Sequence, residues 1–355
     1  MITVNFIGDI SLNNKYQSFR ENNNNPFEDV EGIFANADFN IGNLECLCSE
    51  DSVSNRLKVP RLRTRAITLD LLKPLHFDML NLAHNHIYDS CHAGITCTIF
   101  KLQSMNILPI GFQLDHEVNP YLWETSIKGM PFAIITALHH DTNPCLPDNL
   151  DLNIPHYNVE KIIAAINIAK NKDCFVAVYL HWGGRTEKGF MPDWYEIQDA
   201  HRFIDEGADV IIGGHSHTIQ PFEKYNGKYI FYSLGNFCFD DVETDGKLYP
   251  IGRYRKRKGL ITTLHIQENT YQYKITVQRI RNKNGFIYKQ HGKLKLILRN
   301  FRFKLLEHCK PLWKFNFCWF RKISPLFIYL FESTDSLKIK LSKFKLKRVL
   351  LLFKS

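Results

Sequence analysis

The feature that most constrains the fold is an alternation of short apolar runs, which have strand character, with segments of helical periodicity. The apolar runs cover residues 2–7, 39–41, 79–83, 132–137, 174–180, 210–212 and 229–232. Residues 159–170 form a predicted helix with Asn158 as its N-cap, and a second predicted helix covers 194–206 and stops at Gly207. The alternation predicts a layered α/β fold.

Residues of metal-binding types follow these runs. In chain order they are Asp9, then Asn43 and Glu45, then His84, Asn85, His86 and Asp89, then His181, then His215 and His217, and finally Asn236. Taken singly, residues of these types are more often turn residues, helix caps or partly buried histidines than ligands, and the two explanations are about balanced for the His215-x-His217 pair. Ligands of α/β proteins gather at the carboxyl ends of strands, so the joint pattern predicts a site at one edge of the sheet. Carboxylate, amide and imidazole groups together suit one or two divalent ions.

The order of these motifs resembles the calcineurin-like metallophosphoesterase superfamily. More narrowly, Asn43-Leu44-Glu45 and the segments 82–86, 181–183, 207–215 and 232–237 resemble the CapA-type family of poly-γ-glutamate capsule synthesis. The likeness covers roughly residues 2–265. It implies a four-layer α/β sandwich, which we place at residues 1–268. Outside the likeness, the pattern of the sequence itself predicts a connecting segment at 269–292 and a basic, amphipathic tail at 293–355.

The resemblance also implies roles for single residues. One ion would be held by Asp9 and His217, the other by Asn85, His181 and His215, with Glu45 as the bridge. The implied ions are Mn, Fe or Zn, one or two of them. His86 would face the substrate as a proton donor or a charge stabiliser beside the leaving group, and Asp89 is the second predicted catalytic residue. The residues predicted to contact substrate are Asn43, Arg185, Glu187 and Asn236, and His139, His140 and Asp141 end a strand from which they could reach the site.

Five residues depart from the family pattern. Ser11 stands where metallophosphoesterases have a ligating histidine, and Glu45 is one methylene longer than the usual aspartate. His84 and the pair Ser90-Cys91 also replace other residues. One prediction is therefore a metal-dependent hydrolase for a phosphoester or a polymer amide, in the synthesis of poly-γ-glutamate or a capsule polysaccharide. The alternative is a non-catalytic scaffold or polymer-binding subunit of a capsule assembly complex.

The charge is concentrated at the end of the chain. Residues 293–355 carry 16 of the 45 Lys and Arg residues but three of the 36 Asp and Glu residues. Such a segment, with Phe, Leu, Trp and Ile interleaved, predicts attraction to an anionic membrane surface first and to a capsule-synthesis partner protein second. Nucleic acid is disfavoured because the sequence contains no recognised nucleic-acid-binding module. The predicted substrate is an anionic polymer or its precursor.

Three further features bear on location. The start of the chain has no basic segment before an apolar one, so no signal peptide is predicted. The longest uncharged stretch of the tail, 323–331, is too short to span a bilayer. Nine cysteines without a CxxC spacing are interpreted as reduced thiols. Together these features predict a cytoplasmic protein, peripheral on the inner face of the membrane.

Overall fold

The computed structural model describes residues 1–50, 53–148, 150–251, 257–292 and 294–318. In these residues the strands are β1 (Ile2–Ile10), β2 (Phe39–Leu44), β3 (Leu47–Cys48), β4 (Arg63–Thr64), β5 (Met79–Asn81), β6 (Leu108–Ile110), β7 (Leu122–Ile127), β8 (Met130–Leu138), β9 (Phe175–His181), β10 (Val210–Gly214), β11 (Phe222–Tyr225), β12 (Lys228–Phe231), β13 (Asn236–Cys238), β14 (Val242–Thr244), β15 (Lys247–Tyr249), β16 (Lys258–Ile266), β17 (Tyr273–Lys283) and β18 (Phe286–Gln290). The α-helices are α1 (Lys15–Glu21), α2 (Glu31–Ala35), α3 (Cys91–Ser104), α4 (Val159–Lys170), α5 (Trp194–Asp205), α6 (Leu294–Leu306) and α7 (Lys310–Cys318). Three 3₁₀ helices cover Ala66–Leu75, His140–Thr142 and Gly184–Thr186.

Two large sheets form the centre of the molecule. The first has the strand order β18-β17-β16-β1-β2-β5-β6, with β13 also paired to β1, and the second has the order β11-β12-β10-β9-β8-β7. Strands β1, β2, β5 and β6 are parallel to one another, as are β8, β9, β10 and β12. Parallel strands place their carboxyl ends at one edge of a sheet, where the predicted site residues follow.

Side chains that alternate along the strands separate the interior into layers. On β9, Phe175, Ala177 and Tyr179 face the first sheet, whereas Val176 and Val178 face the helices on the other side. Ile2, Val4 and Phe6 of β1 fill the space between the sheets from the opposite side. Because both faces of these strands are buried, their sequences read as continuous apolar runs.

Helices cover the outer face of each sheet. Residues of α1, α2 and α3 pack on the first sheet, and residues of α4 and α5 pack on the second. The two predicted helices are present, and Asn158 accepts a hydrogen bond from the Lys161 amide at the start of α4. Helix α5 begins with a capping box formed by Asp193 and Glu196. The predicted α/β four-layer sandwich is confirmed.

The sheet extends beyond the predicted end of the main domain. The segment 269–292, expected to be a connection, contains all of β17 and β18, and β17 pairs with β16 from Lys258–Arg281 to Ile266–Tyr273. Of the tail, residues 294–318 form α6 and α7, while 319–355 lie outside the described residues. The division of the chain into separate domains stays a prediction. Over the described ranges, no helix is long and apolar enough to cross a membrane.

Helix α6 is docked on the second sheet. Phe303 and Trp313 are buried in the cluster that also contains Tyr232. At the end of α6, burial and then the nearby carboxylate of Glu223 raise the pKa of Glu307 to about 7. Glu223 itself is held by His201, whose Nε2 lies 2.8 Å from Glu223 Oε1.

Candidate metal centre

Strands β1 and β2 bring the first two predicted residues together. Asp9 pairs in register with Asn43 of β2 on one side and with Asn236 of β13 on the other. All three side chains are buried. Asn43 Nδ2 donates a hydrogen bond of 2.9 Å to Asp9 Oδ1, and the amide of His215 donates one of 3.1 Å to Asp9 Oδ2. The Asp9 carboxylate is thus fixed in place by both sheets.

Strands β9 and β10 deliver the imidazoles from the second sheet. His181 ends β9, and its Nε2 lies 3.1 Å from His215 Nδ1 and 2.9 Å from Asn85 Oδ1. His217 Nδ1 lies 3.4 Å from Asp9 Oδ2 and 2.9 Å from Asn236 Oδ1. Residues from six separate segments therefore meet within hydrogen-bonding distance at this edge.

Glu45 lies between His181 on one side and His217 on the other. Its Oε1 is 3.6 Å from His181 Nε2, and its Oε2 is 3.8 Å from His217 Nδ1. One ligand atom each from Glu45, His215 and His217 all lie within 4.8 Å of one another. This spacing suits ligands of one ion at about 2.0–2.2 Å from each of them, because two ligands on opposite sides of an ion are about twice that distance apart.

The backbone of the His-x-His segment is strained. His215 has φ of 80° and His217 has φ of 55°, a region that residues other than glycine seldom occupy. Gly213, just before it, has no space for a side chain, because a Cβ there would lie 2.0 Å from the Tyr232 carbonyl oxygen. Strained residues of this kind persist where the surrounding structure fixes them, and they are concentrated at functional sites.

Burial keeps the imidazoles of His181 and His215 uncharged. It lowers the pKa of His181 well below its ordinary value, and the neighbouring His215 and His84 add to the effect. Burial, with the nearby His217, lowers the pKa of His215 to about 3. A neutral imidazole has a lone pair to offer a metal ion, so the donor set of two carboxylates, an amide oxygen and three imidazoles fits a divalent ion.

His86 and Asp89 form a buried pair beside this cluster. His86 Nδ1 lies 2.6 Å from Asp89 Oδ2, which also accepts a 2.6 Å hydrogen bond from the Leu62 amide. Burial raises the pKa of Asp89 to about 8, and burial together with Lys58 lowers the pKa of His86. The contact through Nδ1 leaves His86 Nε2 as the ring nitrogen that is available for a substrate.

Comparison with known proteins identifies the family. The sequence model of the family described as "Bacterial capsule synthesis protein PGA_cap" matches residues 3–241, which is more than half of the chain. The chain belongs to this family. All the predicted site residues of this PGA_cap family member fall within the matched region.

Two curated relatives match most of the chain. The PGA biosynthesis protein CapA of Bacillus subtilis is 28% identical over 322 residues, which cover 83% of this chain and 82% of the relative. The capsule biosynthesis protein CapA of Bacillus anthracis is 26% identical over 284 residues, covering 76% of this chain and 68% of the relative.

Solved structures that share a general similarity include two nucleotidases. The 5'-nucleotidase precursor of Thermus thermophilus aligns at a TM-score of 0.42 and 12% identity, over 86% of this chain and 59% of that one. The NAD nucleotidase of Haemophilus influenzae aligns at 0.43 and 11% identity, over 87% of this chain and 56% of that one. The chain thus spans less than two thirds of either enzyme.

The serine in the first motif of this PGA_cap protein has a structural role. Ser11 Oγ donates a hydrogen bond of 2.7 Å to Asn13 Oδ1, and Asn13 in turn donates to the carbonyl oxygen of Asp241 at 2.7 Å. These bonds link the end of β1 to the segment after β13. A hydroxyl used in this way joins two loops and leaves Asp9 as the candidate ligand of the first motif.

The residues predicted to contact substrate fall into two groups. Asn43 and Asn236 lie inside the cluster, where they hold Asp9 and His217. Arg185 and Glu187 lie in the loop after His181 and are more exposed, and Arg185 Nε is 3.4 Å from Asp193 Oδ2. Substrate contact by these four residues stays a prediction.

Asp141 supports the loop after His181. His139 Nδ1 lies 2.7 Å from Asp141 Oδ1, and Asp141 also accepts hydrogen bonds from the Gly184 amide at 3.0 Å and the Tyr195 hydroxyl at 3.1 Å. Burial opposes ionisation of this carboxyl, but His139 and these bonds outweigh it and lower the pKa of Asp141 to about 2. Asp141 therefore orients the turn between His181 and Arg185.

Lys58 also lies at the site, although no sequence pattern predicts it there. It is only 5% exposed, and its ammonium group donates to the carbonyl oxygen of Asn143. Burial lowers the pKa of Lys58, while the carboxylate of Asp89 opposes the change. A single lysine in an irregular loop does not by itself predict a functional site. Its position depends on the folding of the loop 53–62 against Asp89, whose carbonyl oxygen accepts from the Asn55 amide.

Proposed function

We propose that this chain is a metal-dependent hydrolase of bacterial capsule or exopolymer synthesis, acting on a phosphoester or on an amide bond of the polymer. The observation that carries the proposal is the meeting of Glu45, His215 and His217 around one point, with Asp9, Asn85 and His181 in contact with them. Buried groups of this kind are costly to retain without a function, because the folded protein must desolvate them. Membership of the PGA_cap family supports the pathway.

The residues of the site would have three different roles in hydrolysis: metal binding, proton transfer and attraction of the substrate. Asp9, Glu45, Asn85, His181, His215 and His217 would hold the metal. A divalent ion, when bound, polarises the bond to be broken and lowers the pKa of water. Asp89, whose raised pKa lets its carboxyl hold a proton, orients His86; as His86 gives the proton on Nε2 to the leaving group, Nδ1 would take up the proton of Asp89, so the imidazole stays neutral. Lys58, beside this pair, would attract an anionic group of the substrate.

The substrate class follows from the names of the relatives and from the charges. The B. subtilis relative is described as a PGA biosynthesis protein, and poly-γ-glutamate carries a carboxylate on each residue. Lys58 and Arg185 are the cationic side chains expected to bind the carboxylates of this polymer. We therefore propose poly-γ-glutamate or its precursor as the first substrate to test, and a polysaccharide phosphoester as the second.

A structural observation also favours the alternative of a non-catalytic subunit. Both oxygens of Asp9 already accept hydrogen bonds, from Asn43 and from the His215 amide. A closed hydrogen-bond network stabilises a fold without any ion. The two functions differ in a measurable property, namely the metal content of the protein.

The first experiment measures bound metal by elemental analysis in protein purified without chelators. The wild type is expected to carry a stoichiometric amount of Mn, Fe or Zn, and the double variant His215→Ala, His217→Ala is expected to lose it. His116→Ala is the matched control, since this histidine is 59% exposed and pairs with Asp151. A wild type that remains free of metal after reconstitution would favour the scaffold function.

A second variant separates metal binding from proton transfer. Asp89→Asn keeps the size of the side chain but weakens its hold on His86 Nδ1, so hydrolysis is expected to slow by about 100-fold while the metal content stays unchanged. Release of phosphate and shortening of poly-γ-glutamate are followed in parallel. Equal rates for Asp89→Asn and the wild type would exclude the proposed role of His86.

A further inference from the structure

Helix α6 has an inner face that is docked on the protein. Leu296 and Phe303 are buried against the core clusters. Arg299 donates a hydrogen bond to the carbonyl oxygen of Ile219, and Asn300 Oδ1 accepts one of 3.1 Å from the Phe222 amide. These contacts fix which side of the helix faces outward.

The outer face of α6 is a continuous apolar stripe. It consists of five residues that are between 57% and 68% exposed: Leu294, Ile297, Leu298, Phe301 and Leu305. At 100° per residue they fall within a stripe of roughly 100° opposite the buried face. Soluble proteins seldom expose contiguous apolar surface of this kind without a partner for it.

Helix α7 extends the same surface. Leu312 and Phe315 are exposed, and with Leu305 and Leu306 they line a groove of about 400 Å³ between the two helices. Trp313 is buried and anchors α7 to the protein. The exposed apolar side chains therefore belong to a helix pair that is held firmly, and we refer to α6 and α7 together as the helical pair.

Basic residues border the apolar stripe. Lys295 and Arg302 lie along one edge of it and Lys304 along the other, and all three are exposed. Lys310 and Lys314 are exposed on α7. Glu307 is the one acidic residue in the helical pair and the segment joining its helices, and its side chain is 9% exposed. An apolar centre with cations at its edges matches the interface of an anionic bilayer, in which apolar side chains insert and Lys or Arg side chains reach the phosphates.

We propose that the outer face of the helical pair binds an anionic phospholipid bilayer, with α6 lying parallel to the membrane plane. Charge complementarity selects this occupant over protein segments of the same chain. Residues 319–355 carry nine Lys and Arg residues and two acidic residues, so they are repelled by the helical pair and attracted to the same lipid. A second copy of the chain would likewise bring two basic surfaces together.

The test measures binding of the full chain to sedimented vesicles. The wild type is expected to bind vesicles of phosphatidylglycerol and phosphatidylcholine about tenfold more tightly than vesicles of phosphatidylcholine alone, and added salt is expected to weaken the binding. Phe301→Ser removes the central aromatic residue of the stripe and should weaken binding to the anionic vesicles by about tenfold.

Phe100→Ser provides the matched control. Phe100 lies on α3 and is 67% exposed, close to the 61% of Phe301, so the two substitutions remove similar exposed rings. Binding of Phe100→Ser should equal that of the wild type. The proposal is overturned if Phe301→Ser binds anionic vesicles as the wild type does, because residues 319–355 would then account for the binding. It is also overturned if Phe301→Ser only dissociates a dimer, as measured by light scattering.

Discussion

Replacing Phe303 with alanine tests whether the helical pair is an integral part of the folded protein. Phe303 is 1% exposed, and its ring lies 5.3 Å from that of Tyr232 and 5.7 Å from that of Trp313, measured between centroids. Burial of one Phe side chain contributes about 1.5–3 kcal/mol, and each aromatic pair adds about 0.5–1.5 kcal/mol. The sum agrees with the loss of about 3–5 kcal/mol that is usual for Phe→Ala in a core.

The free energy of unfolding is measured by urea denaturation, together with hydrogen exchange of the amides of α6. If α6 unfolds together with the sheets, both quantities should fall by about 3–5 kcal/mol in Phe303→Ala. If α6 undocks by itself, the loss should appear in the exchange of α6 alone. Phe301→Ala is the matched control, because the same residue type lies two positions away on the exposed face. Its effect should stay within about 0.5 kcal/mol.

Equal changes in the free energy of unfolding for Phe303→Ala and Phe301→Ala would refute the docking of α6 through Phe303. A loss below about 1 kcal/mol in both quantities for Phe303→Ala would mean that its ring does not contribute to the core. The docked face of α6 would then contribute no more to stability than its exposed face. Nothing would fix which side of the helix points outward, and the proposed lipid-binding surface would no longer be defined.

Two further predictions concern stability. Burial raises the pKa of Glu307 to about 7, above that in the unfolded chain, so stability should be full at low pH and decline as the pH rises through about 7. Glu307→Gln should remove this decline, which we expect to be about 1–2 kcal/mol between about pH 5 and about pH 8 in urea denaturation; an unchanged pH profile would contradict it. Gly8→Ala should destabilise the protein by more than about 3 kcal/mol in thermal or urea unfolding, because its Cβ would lie 1.9 Å from the Gly235 carbonyl oxygen. Gly32→Ala, with no atom within 4 Å of the added Cβ, should raise stability by about 0.5–1 kcal/mol, and equal effects of the two substitutions would refute the argument.

The central strands could be predicted because both of their faces are buried. The apolar runs at 2–7 and 174–180 correspond to β1 and β9, whose side chains alternate between two layers of core. Helix α4 could also be predicted, since Asn158 caps its start and one face is apolar. In these segments the local preference and the tertiary environment agree, so the sequence contains the information.

The edge of the first sheet was harder to predict. Strand β17 is only partly buried, and charged residues such as Lys274 and Arg279 alternate with apolar ones along it. A half-exposed strand next to the edge of a sheet carries a weak apolar signal, and its pairing with β16 and β18 provides much of its stability. The sequence therefore predicts a connecting segment here rather than two strands.

The sequence predicts that the candidate ligands lie close together, but it does not predict the residues that surround them. Asp9, His181 and His215 directly end or follow strands, so their meeting follows from the parallel order of the sheets. Lys58 is different, because its loop is fixed by contacts distant in sequence. The carbonyl oxygen that Lys58 contacts belongs to Asn143, 85 residues away. Such a contact has no periodicity from which to infer it.

The helical pair and the candidate metal centre are joined through one short segment. Ile219, whose carbonyl oxygen accepts from Arg299 of α6, lies two residues after His217. The Phe222 amide, bonded to Asn300, fixes the same segment further along. A bilayer on the outer face of α6 would therefore lie about one helix diameter, roughly 10 Å, from this segment. A polymer made at a membrane would then need to travel only a short distance to the imidazoles, which gives a physical reason for a capsule synthesis protein to expose apolar residues there.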